Sequence, residues 1–335
     1  YTDDCLVVAD DAEGILKGEF GRYFQLKPES IGPPKIYLGG HLRQVEIDGG
    51  TLAWAFSSTQ YVQAAVKNVE EYLKKRGKSL KPKALDVIPK GYRPEIDVTP
   101  ELDPGEASYY QSLIGILRWM VELGRVDICT EVSMMSSHLA LPRKGHLEAL
   151  FHMFAHLKKN HNSEMVFDPS EPDVETSDFP REDWSLSIYG DVSEELPRAR
   201  SFEESGPGDM PEPRGRGFRM RVYVDCDLGG ELVTRRSRTG FAVFLNNAPI
   251  YWLSKKQGSC ETSTYGSELV SMKQATEYVE GLRYKMRMMG IRVDEPAFVF
   301  GDNQSVLANT SNPASTLKKK SNAIAFHYIH EGCTK

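Results

Sequence analysis

Several features that often assign a protein to a class are scarce or absent in this sequence. Its 335 residues include only five cysteines, an odd and scattered set with no C-x-x-C pair. This usage argues against a disulfide framework and a cysteine-based zinc site, and it fits a reducing compartment. No apolar run approaches the roughly 20 residues of a membrane span, so we expect no membrane partner. The sequence also lacks a signal-peptide pattern and an initiator methionine, and we interpret it as a fragment of a longer chain.

A helical zinc motif of the H-E-x-x-H type is also missing. His152 and His156 are four residues apart, a spacing that can grip a metal from one face of a helix. Met153 occupies the place of the acid in that motif. We therefore interpret the histidines of this segment as packing or surface residues.

The net charge of −6 is unusual for a protein that binds nucleic acid, but the charge is unevenly distributed. Residues 168–217 contain 14 acidic and five basic residues, and the rest of the chain carries +3. This acidic segment is rich in Pro and Gly, which is typical of a mobile linker. Residues 67–93 contain nine basic and three acidic residues, including Lys74, Lys75 and Arg76. Such a stretch is compatible with a phosphate-contacting face and with an ordinary solvated surface, and the sequence does not distinguish between them.

Apolar periodicity divides the remainder into three parts and predicts the α/β class. Residues 1–57 combine a helical pattern at 12–26 with two strands, and residues 58–167 are mainly helical. Residues 218–335 have the order β-β-β-α-β-α-α, which predicts a mixed sheet with flanking helices. The further predicted helices are 57–76, 107–123, 127–140, 144–160, 263–289, 303–309 and 317–331, and the C-terminal strands are 218–226, 238–245, 250–256 and 297–301.

Three acids of the C-terminal part occupy the ends of predicted elements. Asp225 ends a strand, Glu268 lies near the start of the long helix, and Asp302 follows another strand. Carboxylates that converge from such positions can bind a pair of Mg²⁺ ions, roughly 3.5–4 Å apart, which clamp a phosphodiester. Spacing alone does not distinguish this arrangement from three unrelated surface acids among 47.

A second acidic pair, Asp3 and Asp4, precedes the apolar run at the N-terminal end. Adjacent acids at a hairpin tip repel each other unless a cation lies between them. Spacing alone leaves a cation site and a solvated turn equally open.

The C-terminal part contains five short motifs, which are Tyr223-Val-Asp-Cys-Asp227, Arg235–Phe241, Pro249–Gln257, Ser263–Leu269 and Gly301–Ser305. Together these motifs resemble the ribonuclease H domain of copia-type LTR retrotransposons. Upstream, Tyr1-Thr-Asp-Asp4 is similar to the Tyr-x-Asp-Asp box of reverse transcriptases. The segments Ile36–Gly39, Tyr110–Leu117 and Arg125–Ile128 are similar to those between polymerase and nuclease. The resemblance covers nearly the whole chain except 168–217.

The resemblance implies a C-terminal part of a Pol polyprotein. Residues 1–57 would end the reverse transcriptase palm, 58–167 would form the thumb and connection, 168–217 would be a linker, and 218–335 would be the ribonuclease H-like domain. The implied activity is two-metal hydrolysis of the RNA strand of RNA–DNA hybrids, with two Mg²⁺ ions as cofactors and Mn²⁺ as a substitute. Implied partners are the hybrid and the rest of the polyprotein, in a cytoplasmic virus-like particle and in the nucleus. The alternative is a catalytically dead or relic module that only binds hybrids.

The resemblance also implies roles for individual residues, and this sequence differs from the family pattern in two places. Asp225, Glu268 and Asp302 match the nuclease carboxylates, and Asp3 and Asp4 match the polymerase pair. The third polymerase acid is not present, so this fragment alone is not expected to polymerise DNA.

The second departure lies on the last predicted helix, where the family often has a fourth nuclease acid. Ala323 takes that position, and His327 lies one turn further along the same helix. His327 is therefore a candidate accessory ligand, and imidazole favours Mn²⁺ over Mg²⁺.

Overall fold

The computed structural model describes residues 4–27, 29, 31–175, 177, 179, 182, 207–317 and 320–334. Asp3 and most of the acidic segment, including 183–206, lie outside these described residues. The chain forms two compact units, Tyr1–Asp168 and Pro169–Lys335. Both combine helices with a β-sheet, as expected for the predicted α/β class.

The first unit contains a four-stranded antiparallel sheet in the order β1-β2-β3-β4. Its strands are β1 (Ile36–Tyr37), β2 (Gly40–Ile47), β3 (Thr51–Ser57) and β4 (Glu164–Phe167). Gly49 and Gly50, both at positive φ, make the tight connection between β2 and β3. An ion pair between Arg43 and Glu164 ties the last strand to the sheet. The β4 strand was not predicted from the sequence.

The helices of the first unit form most of its core. They are α1 (Ala12–Gly14), α2 (Thr59–Lys74), α3 (Pro104–Glu122), α4 (Cys129–Ser136) and α5 (Lys144–Lys159). The α2 helix buries one apolar stripe, which includes Val62, Val69 and Leu73. The α3 helix begins where the Asp103 side chain accepts a hydrogen bond from the backbone N–H of Glu106 (2.9 Å). The helices predicted over 57–76, 107–123, 127–140 and 144–160 are present, with ends that differ by a few residues.

The prediction of one amphipathic helix over 12–26 is wrong. The structure has a short α-helical turn, a π-helical turn (Ile15–Glu19) and a 3₁₀ turn (Phe20–Arg22). None of these turns buries a residue, and Phe24 beyond them is also exposed. Three glycines interrupt this stretch, and each costs about 1 kcal/mol in a helix interior relative to alanine.

The second unit is built on a mixed four-stranded sheet in the order β7-β6-β5-β8. Its strands are β5 (Met220–Cys226), β6 (Arg238–Leu245), β7 (Ala248–Lys256) and β8 (Ala297–Phe300). The β5, β6 and β7 strands form an antiparallel meander, and β8 pairs with β5 in parallel. All four strands match the predicted order.

Three helices accompany this sheet: α6 (Thr264–Met288), α7 (Gln304–Ser311) and α8 (Ala323–Thr334). On β5, the buried residues Met220, Val222 and Val224 alternate with half-buried or exposed ones and join the core that α6 covers. The α6 helix ends before Gly290, whose φ of 70° stops it, as the sequence predicts. No described helix is long and apolar enough to span a bilayer.

Candidate metal centre

Strand register brings Asp225 and Asp302 to the same edge of the sheet. Parallel pairing of β5 with β8 runs from Met220 opposite Ala297 to Tyr223 opposite Phe300. Continued for two residues, this register places Asp302 opposite Asp225, just beyond the end of β8. Both acids therefore lie at the carboxyl ends of adjacent parallel strands, and both are exposed.

The third acid, Glu268, comes from the first turns of α6. The Ser263 hydroxyl caps this helix by accepting a hydrogen bond from the backbone N–H of Gly266 (3.2 Å). Glu268 is only 6% exposed, whereas the two aspartates face solvent. Ligand oxygens of the three carboxylates lie within 4.8 Å of one another. Among the described residues, no other group of three or more His, Cys, Asp or Glu side chains has this geometry.

The electrostatics of the group fit a divalent cation. Burial, followed by the negative charges of Asp225 and Asp302, raises the pKa of Glu268 from 4.5 to about 7, although hydrogen bonding to Cys226 opposes the rise. A cation among the three carboxylates would remove this repulsion. The ligand set is made only of carboxylate oxygens, which suit hard ions such as Mg²⁺ and Mn²⁺.

Cys226 lies next to Asp225 but does not extend the ligand set. Burial raises the pKa of its thiol to about 11, so the thiol is neutral at physiological pH. Metal ligation by cysteine requires the thiolate. The Cys226 thiol is also not among the ligand atoms that lie within 4.8 Å of one another, so the group that the structure describes consists of carboxylates.

Basic side chains lie on the neighbouring loop and strand end. Arg235 and Arg236 are exposed in the loop between β5 and β6, and Lys255 is exposed near the end of β7. Lys255 pairs with Thr239, which in turn pairs with Cys226 beside the first carboxylate. Exposed basic groups of this kind can attract an anionic substrate.

Of the predicted polymerase pair, Asp3 lies outside the described residues. Asp4 is exposed, and its carboxylate accepts a hydrogen bond from the backbone N–H of Leu38 (3.1 Å). The polymerase assignment of these two acids stays a prediction.

The predicted phosphate-contacting residues lie at the end of α2. Lys74 and Lys75 are exposed and have no ion-pair partner among the described residues. The Arg76 guanidinium stacks 3.6 Å from the centre of the Tyr72 ring, which in turn stacks on Tyr109 at 3.7 Å. Two exposed ammonium groups and a stacked guanidinium at one helix end fit a phosphate-contacting face and a solvated surface alike, so the phosphate-contacting assignment stays a prediction.

The structure does not bring the candidate histidines into the carboxylate group. His327 on α8 is exposed, and its ring packs edge-on against Phe326 with 5.3 Å between centroids. Ala323 is partly buried at the start of the same helix. His152 bonds through Nε2 to the carbonyl of Asp86 (3.1 Å), and burial lowers its pKa.

One group of residues beside the carboxylates was not predicted from the sequence. Gln257, Thr239 and Ser271 are buried polar residues linked by hydrogen bonds. The sequence signals were that Gln257 ends one of the matching runs and that Thr239 lies within another.

The chain was also compared with known proteins. No family model matches it. It is 22% identical over 334 residues to the retrovirus-related Pol polyprotein from transposon TNT 1-94 of Nicotiana tabacum, an alignment that covers 99% of this chain and 21% of that protein. The chain is similar to Pol polyproteins of plant transposons. It is also 22% identical over 227 residues to the Pol polyprotein from transposon RE1 of Arabidopsis thaliana, covering 68% of this chain and 12% of that protein.

The third relative is the Pol polyprotein from transposon RE2 of Arabidopsis thaliana, with 26% identity over 116 residues. This alignment covers 35% of the chain and 8% of that protein. The chain therefore spans about a fifth or less of the length of these relatives. The similarity supports a fragment of a retrotransposon-related polyprotein.

Proposed function

We propose that this chain is the C-terminal part of a retrotransposon Pol polyprotein and that its second unit is a ribonuclease H. The substrate would be the RNA strand of an RNA–DNA hybrid. The observation that carries the proposal is the convergence of Asp225, Glu268 and Asp302 within 4.8 Å at the ends of two parallel strands and the start of a helix. The relatives supply the retrotransposon context.

In the proposed mechanism the three carboxylates hold the cofactor and the basic residues hold the substrate. Asp225, Glu268 and Asp302 are the residues that would hold two Mg²⁺ ions. Such ions, when bound, activate water and stabilise the leaving oxygen of a phosphodiester. Arg235 and Lys255 would attract the phosphate backbone toward the carboxylates.

Recognition of the hybrid would depend on its shape and charge. An A-like duplex is contacted through its backbone and its 2′-hydroxyls, so little sequence preference is expected. Lys74, Lys75 and Arg76 would add sequence-independent affinity through phosphate contacts. The first unit, with Asp3 and Asp4 but without a third acid, would not polymerise DNA by itself.

A cleavage assay on a labelled RNA–DNA hybrid tests the proposal. The parent chain should cut the RNA strand with Mg²⁺ and leave the DNA strand and duplex DNA intact. Asp302→Asn should abolish cutting because it removes a negatively charged ligand. Asp209→Asn, which changes an exposed acid of the same unit, should leave the rate unchanged.

Two results would contradict the nuclease. Cutting that persists in Asp302→Asn would arise from a contaminant. Tight hybrid binding without cutting in either Mg²⁺ or Mn²⁺ would favour the alternative, a binding module without catalysis.

A further inference from the structure

A cluster of buried polar side chains adjoins the carboxylates and has no part in the mechanism above. Gln257 directly follows β7 and is 1% exposed. Thr239 on β6 and both Ser267 and Ser271 on α6 are completely buried. Burying polar groups is costly unless they are hydrogen-bonded. Four of them in one place therefore require a structural reason.

The side-chain amide of Gln257 is the centre of this cluster. Its nitrogen lies 2.9 Å from the carbonyl oxygen of Ser267 and 3.2 Å from the hydroxyl oxygens of Thr239 and Ser271. These two hydroxyl groups are also hydrogen-bonded to each other at 2.9 Å. A backbone carbonyl can only accept, so the amide nitrogen must face Ser267. In the described part of the chain, Gln257 Oε1 has no hydrogen-bond partner.

On the helix side, the contacts of Gln257 flank a carboxylate ligand. Ser267 is the residue immediately before Glu268, and Ser271 lies almost one turn after it. Hydrogen bonds to both residues fix the position of the first turns of α6 along its axis and about it.

On the sheet side, the contacts lead to the first carboxylate. Thr239 pairs across the sheet with Cys226, the neighbour of Asp225. The backbone N–H of Gln257 donates to the carbonyl of Ser237 (2.8 Å), which anchors the residue to β6. One side chain thus joins the helix that carries Glu268 to β6, which pairs with the strand that carries Asp225.

We propose that Gln257 is a positioning residue that sets the placement of Glu268 relative to Asp225 and thereby the metal affinity of the centre. This inference rests on the proposed function for the nature of the ligand, a divalent cation. Apolar packing would also hold α6 on the sheet, but it is non-directional and permits the helix to slide. Directed hydrogen bonds prevent such sliding. Residues that orient metal ligands typically affect metal affinity about 10–100-fold.

The substitution Gln257→Met in the full 335-residue chain separates positioning from folding. Methionine has a similar length and volume, so packing is retained. The loss of three hydrogen bonds is offset in part by removal of the unpartnered Oε1 atom. We expect a cooperative melting transition close to that of the parent.

Two measurements report on the metal centre of the variant. Isothermal titration with Mn²⁺ should show binding about tenfold weaker than in the parent. The half-saturating Mg²⁺ concentration for hybrid cleavage should rise by about the same factor. The rate at saturating metal should stay close to that of the parent, because the three carboxylates are all present.

Two threonine variants provide the matched comparison. Thr239→Val removes a hydroxyl that contacts the Gln257 amide, and it should also weaken Mn²⁺ binding. Thr310→Val removes an equally buried hydroxyl on α7, which bonds to the Val306 carbonyl of its own helix (2.8 Å). It should leave Mn²⁺ binding unchanged.

Unchanged Mn²⁺ affinity in folded Gln257→Met would overturn the inference, and so would an equal loss in Thr310→Val. Should Gln257→Met not fold, unchanged Mn²⁺ affinity in Thr239→Val would overturn it in the same way. If the parent binds Mn²⁺ but cuts no hybrid, the proposed nuclease activity is refuted. Titration with Mn²⁺ then still tests whether Gln257 affects metal affinity. A parent that binds no Mn²⁺ would overturn both proposals.

Discussion

Neutralising Glu268 should stabilise the metal-free protein while it destroys the metal centre. Burial and two neighbouring negative charges raise the pKa of Glu268 from 4.5 to about 7. The folded state therefore binds this proton more tightly than the unfolded state does. Below about pH 4.5 both states are protonated, and the group has no effect on stability. Above about pH 4.5 the unfolded state loses the proton more readily than the folded state does, so the free energy of unfolding falls as the pH rises. The loss is complete once the folded state also ionises, as the pH rises through about 7.

Glutamine carries no charge, so Glu268→Gln should avoid this loss. A pKa difference of this size corresponds to about 3 kcal/mol at alkaline pH, and solvent around the exposed aspartates reduces it to about 1–3 kcal/mol. For a unit of this size, that gain raises the melting temperature by about 3–10 °C at pH 8. At pH 5 the gain should be much smaller, since most of the titration lies above that value.

Thermal unfolding of the parent and variant at pH 5 and pH 8, in chelator and in Mg²⁺, measures the effect. Mg²⁺ should raise the melting temperature of the parent and leave that of Glu268→Gln unchanged, because binding only to the folded state stabilises it. Glu277→Gln is the matched control on the same helix, where the glutamate is paired with Lys273 on the surface. It should change stability by less than about 0.5 kcal/mol.

A Glu268→Gln variant that is no more stable than the parent at pH 8 without metal would refute this prediction. An equal gain at pH 5 and pH 8 would refute it too, because only a packing effect is independent of pH. In either case the three carboxylates would not repel one another enough to need a cation.

Three further predictions concern other parts of the chain. Neutralising Lys74, Lys75 and Arg76 should flatten the slope of log K against log salt for hybrid binding. By analogy with B-DNA, the slope should change by about 0.9 for each phosphate that the variant no longer contacts. An unchanged slope, measured by fluorescence anisotropy, would show that these residues form a solvated surface. The chain should not extend a primer on an RNA or DNA template, and incorporation of nucleotides above background would refute this. Ala323→Asp should lower the half-saturating Mg²⁺ concentration for cleavage, and identical titrations of parent and variant would show that this position does not contribute to metal binding.

Much of the second unit could be predicted from local patterns because its strands and helices have strong periodicity. Alternation along β5 identifies which of its residues face the core, β8 is a continuous apolar run, and both runs end just before an acid. Asp225 and Asp302 lie two residues beyond Tyr223 and Phe300, which pair with each other. Their proximity is therefore a consequence of parallel pairing, which the predicted element order implies.

Elements that depend on distant contacts could not be predicted in this way. The β4 strand has only four residues, Glu164–Phe167, and forms because it pairs with β3 more than 100 positions earlier. The stretch 12–26 shows the opposite case. Its apolar residues recur at helical spacing, but its glycines weaken the helix and none of its described turns contains a buried residue.

The Gln257 cluster lies beyond pattern analysis for a different reason. Periodicity assigns polar residues to solvent, yet Thr239, Ser267 and Ser271 face inward because the start of α6 meets the sheet at that point. On α6, the buried serines lie in the turns that carry Glu268, whereas the middle of the helix buries apolar residues. Burying polar groups is unfavourable unless they are hydrogen-bonded. An apolar contact at that point would hold α6 on the sheet without the free-energy cost of burying polar groups. It would not fix the position of Glu268. A polar residue at a core position next to a candidate ligand is therefore a sign that geometry, and not only stability, is maintained at that position.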